Sequence, residues 1–285
     1  MKCLAALLRR IAAALVLVAA LSGCSVVRFA YDNADTYLHW RATSYLDLHG
    51  EAVDELDERI QQLLAWHRAQ ALPQYVRIAD DAARRLSRGL ARQDLDWGYD
   101  SLMAQARQSL HAAAERVAPM LDLLTPAQLA HFEERLAEDN RKFARENLRG
   151  SEEERRQRRA RRAEEQLEDW VGRLSQAQVD RIRQFSERAP LAAELRDRDR
   201  KRIQGEVLAM IRAGQAAARL PEFAANWQRG RDPAFAAVNE AWRQEVSAMM
   251  LDIERTLTPA QRARAVAQLQ RYARDMRMLA AKAEP

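Results

Sequence analysis

Very little in this chain would break a helix or cross-link it. Of its 285 residues only two are cysteines, Cys3 and Cys24. Both lie in the first 24 residues, so the rest of the chain holds no thiol with which to build a disulfide framework. Glycine occurs nine times and proline eight, and aromatics make up 6% of the chain. That poverty excludes turn-rich β folds and leaves an Ala-, Leu-, Arg- and Glu-rich text that favours helix throughout. No glycine-rich phosphate loop and no G-x-S-x-G elbow occurs. The five histidines (His39, His49, His67, His111, His131) form no H-x-x-x-H or H-E-x-x-H pair, so neither a metal nor a cofactor is expected. Long apolar runs are missing too. The eleven residues 11–21 fall short of the roughly 20 that a membrane-spanning helix needs.

That short run is flanked by Lys2, Arg9 and Arg10 on one side and by Leu21-Ser22-Gly23-Cys24 on the other. Its length suits a signal-peptide core of about 7–15 residues. The closing tetrad resembles a bacterial lipobox. The resemblance implies a diacylglyceryl thioether on Cys24, cleavage before it, and fatty acylation (palmitate) of the new amino terminus. The domain expectation is a lipoprotein signal peptide over 1–23 and an all-helical periplasmic domain over 24–285. In enteric bacteria an Asp after the lipidated Cys retains a lipoprotein in the inner membrane. Ser25 stands there instead, which implies the periplasmic face of the outer membrane. Cleavage would take three of the 46 basic residues, leaving 43 against 41 acids. The net charge would then be about +2, which gives no argument for a nucleic-acid partner.

The mature chain reads as an elongated bundle of antiparallel helices. A first helix over about 28–46 carries Tyr31, Ala34, Leu38 and Tyr45 at helical spacing, with Tyr37 and Trp40 beside them. Packing into the core is expected for these aromatics, with a place at the membrane headgroup level as the alternative. Val53, Leu56, Ile60, Leu63 and His67 give the next helix a 3-4-3-4 rhythm up to Ala71-Leu72-Pro73, where proline predicts a kink or break. A third runs from about Gln74 to Arg88. The helix after Asp94 is expected to bury Leu95, Leu102, Ala106, Leu110 and Val117. Leu220-Pro221 reads as a turn, and Asp232-Pro233 as a helix start.

The succession Tyr31-Asp32-Asn33-Ala34-Asp35, Tyr45-Leu46-Asp47-Leu48, Leu64-Ala65-Trp66-His67-Arg68 and Leu72-Pro73-Gln74-Tyr75 resembles an uncharacterised family of proteobacterial lipoproteins. The resemblance implies an all-helical envelope lipoprotein and brings no catalytic residue with it.

Three segments repeat a pattern: Leu124-Thr125-Pro126-Ala127-Gln128, Leu174-Ser175-Gln176-Ala177-Gln178 and Leu257-Thr258-Pro259-Ala260-Gln261. Each has the form of a capping box, in which the hydroxyl accepts from the N3 amide and the glutamine reaches back to the cap amide. Leu48-His49-Gly50-Glu51-Ala52 is a worn match. The boxes are also similar to the L-T-x-x-Q motif of small periplasmic stress chaperones, curved helical dimers that cradle unfolded clients. That likeness implies an alternative role as a client-binding chaperone or envelope-stress sensor.

The most polar stretch places six arginines between 155 and 162, flanked by Glu152 to Glu154 and by Glu164 and Glu165. Pairs four apart (Glu152–Arg156, Glu154–Arg158, Arg161–Glu165) support an exposed helix. Arg155, Arg158, Arg159 and Arg162 share one broad face and are the candidates for an anionic contact, since guanidinium forks match phosphate oxygens. The expectation for function is a membrane-anchored, non-enzymatic scaffold or binding module. Its partners would be the membrane through Cys24, and envelope proteins or anionic lipid.

Overall fold

The computed structural model describes residues 26–282, and the segment 1–23 expected to be a signal peptide, with Cys24, lies outside them. All regular structure among the described residues is helical. The helices are α1 (Val26–Asp32), α2 (Ala34–Leu46), α3 (Glu51–Trp66), α4 (Leu72–Arg88), α5 (Arg92–Leu121), α6 (Pro126–Asn147), α7 (Glu152–Val171), α8 (Gln176–Arg188), α9 (Ala193–Arg212), α10 (Ala216–Ala225), α11 (Pro233–Thr256) and α12 (Pro259–Ala281). Helix α12 lies along α4, and α10 along α5.

Two apolar cores organise the bundle. One joins Leu46, Leu56, Ile60 and Leu64 to Ala118, Leu121 and Ile211. The other joins Leu174, Ile182 and Phe185 to Met249, Ile253 and Ala265. The capping boxes sit at the seams of these cores. Thr125, Ser175 and Thr258 each accept from the amide three residues on, and the glutamines return the bond to the cap amide. The glutamine amides also reach across the fold. Gln128 donates to the Asp47 carbonyl at 3.1 Å, just before the worn box at Leu48. Gln178 and Gln261 bond each other in both directions at 3.1 Å. Gln178 further donates to Thr256 O and Gln261 to Arg173 O, so each amide holds the residue before the other's box. A fourth box, Ser151 with Glu154, starts α7 and separates it from α6.

Several elements differ from the sequence expectation. The first helix is broken at Asn33 into α1 and α2. Pro73 produces no break. A π-helical turn over His67–Ala71 carries α3 into α4, with the Leu72 amide reaching the His67 carbonyl five residues back. Proline has no N–H and its ring crowds the carbonyl four residues earlier. The wider turn relieves that crowding while the chain stays helical. Leu220-Pro221 is not a turn either, since it lies inside α10. The preceding helix ends at Arg212 and turns at Gly214, whose φ of +62° suits a residue without Cβ. What starts α10 is a distant residue: Asp122 at the end of α5 accepts from the Ala216 and Ala217 amides at 2.7 and 2.9 Å.

Helix α5 is buried on two sides rather than along the expected stripe. Gln105 and Ala112 are inside on one, Ala114 and Ala118 on the other, whereas Leu102 and Leu110 are exposed, as is Tyr99. Helix α10 runs along α5, and α3 and α4 also pack against α5, so neighbours on more than one side decide which positions are covered. The first aromatics also divide. Tyr31 and Tyr45 pack on the core, while Tyr37 and Trp40 are more than half exposed, as is Phe29.

His67 lies where the π-turn begins, 2.9 Å through Nδ1 from the Tyr31 hydroxyl. Burial, with the Arg68 charge added, holds its pKa below the ordinary value of 6.5. A depressed histidine pKa means that the unfolded chain binds the proton more readily. The stability this residue contributes is complete above about pH 6.5 and is lost as pH falls through the folded-state value. The stability advantage of the wild type over His67→Gln should therefore shrink between about pH 7.5 and about pH 5. Thermal midpoints that fall in parallel for the two proteins would contradict this.

Candidate functional site: an apolar chamber beside an arginine-lined groove

The second core is not filled. Between α7, α8, α11 and α12, with the end of α4 as a further wall, lies an open cavity of about 510 Å³. That is within the range of about 300–1,000 Å³ typical of small-molecule sites. Its walls are built by helical spacing: Ala163, Leu167 and Trp170 on α7 face Val246, Met250 and Ile253 on α11. Trp170 is braced edge-on against Tyr272 of α12 at 5.6 Å. Two charged residues line the chamber, Arg159 and Glu254. Glu254 is buried, accepts from the Leu90 amide at 3.2 Å and pairs with Arg262 at 2.6 Å. Its second oxygen has no hydrogen-bond partner in the described chain.

Arg159 is bound to the end of α8. It donates to the Ala189 and Pro190 carbonyls at 2.8 and 2.9 Å, to Ser186 Oγ at 3.2 Å and to the Ser186 carbonyl. Arg156 adds bonds to the Ser186, Glu187 and Ala189 carbonyls. Two guanidinium groups thus close a helix C-terminus whose last carbonyls would otherwise be unpaired, at the negative end of its dipole. Burial first, and then the neighbouring Arg156 charge, lowers the Arg159 pKa to about 10. It remains charged at neutral pH.

On the outer side of Arg159 lies a second cavity of about 360 Å³. All four candidate arginines line it, joined by Arg196 of α9 and by Trp242 of α11. Arg155 pairs with Glu194 of α9. Arg158 donates to the Arg149 carbonyl at 2.6 Å, so the expected Glu154–Arg158 pair is replaced by two loop contacts, with Glu154 serving the Ser151 cap. No hydrogen bond or ion pair ties the side chain of Arg162 or Arg196 among the described residues. Arg156 has the expected Glu152 at 3.8 Å, while Arg161 faces another hollow with Glu164 and Arg183. Arg159, Gln166 and Trp242 line both the groove and the chamber. The two cavities therefore share a wall and open beside each other. Neither the chamber nor the contribution of Arg196 and Trp242 was foreseeable, because these residues lie 34–80 positions from Arg162.

The five histidines are scattered: His39 meets Asp57 at 2.6 Å, and His131 meets the Ser44 carbonyl at 3.1 Å. Among the described residues no group of three or more His, Cys, Asp or Glu side chains could hold a metal ion. None of their helices is long and apolar enough to cross a membrane.

Fold and site together define an all-α protein with an apolar chamber opening beside a cationic groove. Residues 44–229 match the family described as "Family of unknown function (DUF6279)", and the chain belongs to that family. The matched span includes the Trp66-His67-Arg68 and Leu72-Pro73-Gln74-Tyr75 segments and all four candidate arginines. No curated protein and no solved structure matches the chain.

Proposed function

We propose that this protein is a non-enzymatic binding module of the bacterial cell envelope, tethered through lipid on Cys24 to the periplasmic face of the outer membrane. The observation that carries the binding role is the open apolar chamber. Of its two charged lining residues, Arg159 is engaged in closing α8 and Glu254 is paired with Arg262. Every other lining side chain except Gln166 is apolar or aromatic, so the site suits holding an apolar guest. The tether rests on Leu21-Ser22-Gly23-Cys24 and on Ser25 after it. Helix α1 begins two residues beyond Cys24, and its Arg28 pairs with buried Asp275 at 3.3 Å. The short link would keep the folded domain at the bilayer surface, with exposed Phe29, Tyr37 and Trp40 at the depth where aromatic side chains partition well.

Two measurements test this. Cys24→Ser should remain at precursor size and lose its fatty acyl mass, and a variant still cut and retained in the outer membrane would refute the anchor. The full-length protein in phosphatidylcholine nanodiscs should be labelled by a neutral long-chain alcohol carrying a terminal diazirine. The label should map to α7 and α11 and be displaced by unlabelled alcohol. Scattered, non-displaceable labelling would refute the chamber as a binding site.

A further inference from the structure

We infer that the chamber and the groove form one site for an amphiphile with a single acyl chain and an anionic head, the chain lying in the chamber and the head among the arginines. This builds on the binding role proposed above and specifies its ligand. Size is the first argument. A methylene is close in size to a water molecule, whose share of liquid volume is about 30 Å³. A chamber of about 510 Å³ thus has room for roughly seventeen methylenes, the length of one long acyl chain.

Charge is the second argument. Five guanidinium groups line the groove, against the Glu146 carboxylate on α6 and the Glu194 carboxylate that pairs with Arg155. Glu154 is held at the Ser151 cap. Arg158 gives one bond to a carbonyl, and Arg162 and Arg196 make none within the described chain. These unneutralised donors come from two helices, α7 and α9, and flank one opening. Guanidinium forks bind carboxylate or phosphate oxygens with charge-assisted bonds.

The boundary between the cavities is the third argument. Trp242 is 37% exposed and lines both, so its ring can meet the chain while its indole N–H remains open to the head. Gln166 supplies a second neutral polar group at the same position. Arg159 spans the division, its guanidinium 5.6 Å from the centre of the Phe185 ring. An apolar cavity whose rim carries cations and amphipathic donors is complementary to a fatty acid or a lysophospholipid. A neutral alcohol satisfies only the apolar half.

The test uses the full-length protein in phosphatidylcholine nanodiscs with three diazirine probes of equal chain length: a fatty acid, a lysophosphatidylglycerol and a fatty alcohol. Competition curves with the unlabelled compound give apparent affinities. The anionic probes should bind at least about tenfold more tightly than the alcohol. In Arg162→Gln/Arg196→Gln that preference should fall by about tenfold with alcohol binding unchanged, and Arg162→Lys/Arg196→Lys should retain most of it. Neither side chain has an internal partner to lose, and an unchanged thermal midpoint confirms the fold. Preference for the fatty acid alone identifies a free carboxylate as the head, and preference for the lysophospholipid alone a phosphate. Equal binding of all three probes, or no response to the Gln pair, overturns the anionic-head assignment while leaving the apolar binding role intact. Failure of every probe to label the chamber overturns both.

Discussion

Gln178→Ala is expected to lower the unfolding free energy by about 3 kcal/mol, several times the effect of removing an ordinary helix cap. Gln178 is fully buried, at 0% exposure. Its carbonyl oxygen accepts from the Ser175 amide at 2.9 Å and from Gln261, and its amide donates to Thr256 O and to Gln261. Alanine would strand a backbone N–H and a carbonyl and halve the pairing of Gln261, besides leaving a cavity. Gln178→Glu should be similarly damaging, because a carboxylate cannot donate to Thr256 O and would bring a buried charge. Gln128→Ala is the internal comparison. Gln128 makes the same local bond to Thr125 and one bond to Asp47 O, but without a reciprocal amide partner, so about 1 kcal/mol is expected. Denaturant or thermal unfolding of the full-length protein followed by circular dichroism would measure both. Equal losses at Gln178 and Gln128 would show that the cross-brace adds nothing to an ordinary cap.

Asp199→Ala should cost about 3–5 kcal/mol. Asp199 is buried on α9, between Arg202 at 3.0 Å and Arg231 at 3.0 Å. Arg202 also donates to Trp227 O at 2.8 Å, and Arg231 lies over the Phe235 ring at 4.8 Å. The carboxylate therefore fastens the connection between α10 and α11 onto α9. Removing it leaves two guanidinium groups facing each other, one of them only 13% exposed. An uncompensated buried charge is costlier than a missing pair. Arg231→Met made on top of Asp199→Ala should accordingly recover part of the loss, as a double-mutant cycle would show. A single-variant cost below about 1 kcal/mol would mean that water reaches and screens the guanidinium groups.

Helix class and most helix starts were legible because their causes are local. Thr125, Ser175 and Thr258 cap with atoms three residues away, and Asp232 caps the Ala234 amide two residues on. Where a distant residue supplied the cause, the reading failed. Leu220-Pro221 looked like a turn because Asp122, some 95 positions earlier, is what begins α10. Leu102 and Leu110 looked buried because apolar spacing marks a stripe without stating which neighbour approaches. The arginine segment was read correctly as a charged helix, but not in its detail. Arg156 and Arg159 are consumed in closing α8, a role set by where α8 ends and invisible from α7 alone.

By itself the sequence determined the all-helical class, the capping boxes and the charged face of α7, since backbone propensity, caps and helix periodicity act within a few residues. Only the tertiary structure decided that Gln178 and Gln261 brace each other and that Arg196 joins the arginines of α7. It also decided that Trp242 stands at the boundary of an apolar chamber. The walls of that chamber come from five helices spread over residues 86–269. Hydrophobic burial is non-directional, so apolar spacing states that a face will be covered without naming what covers it or what space remains.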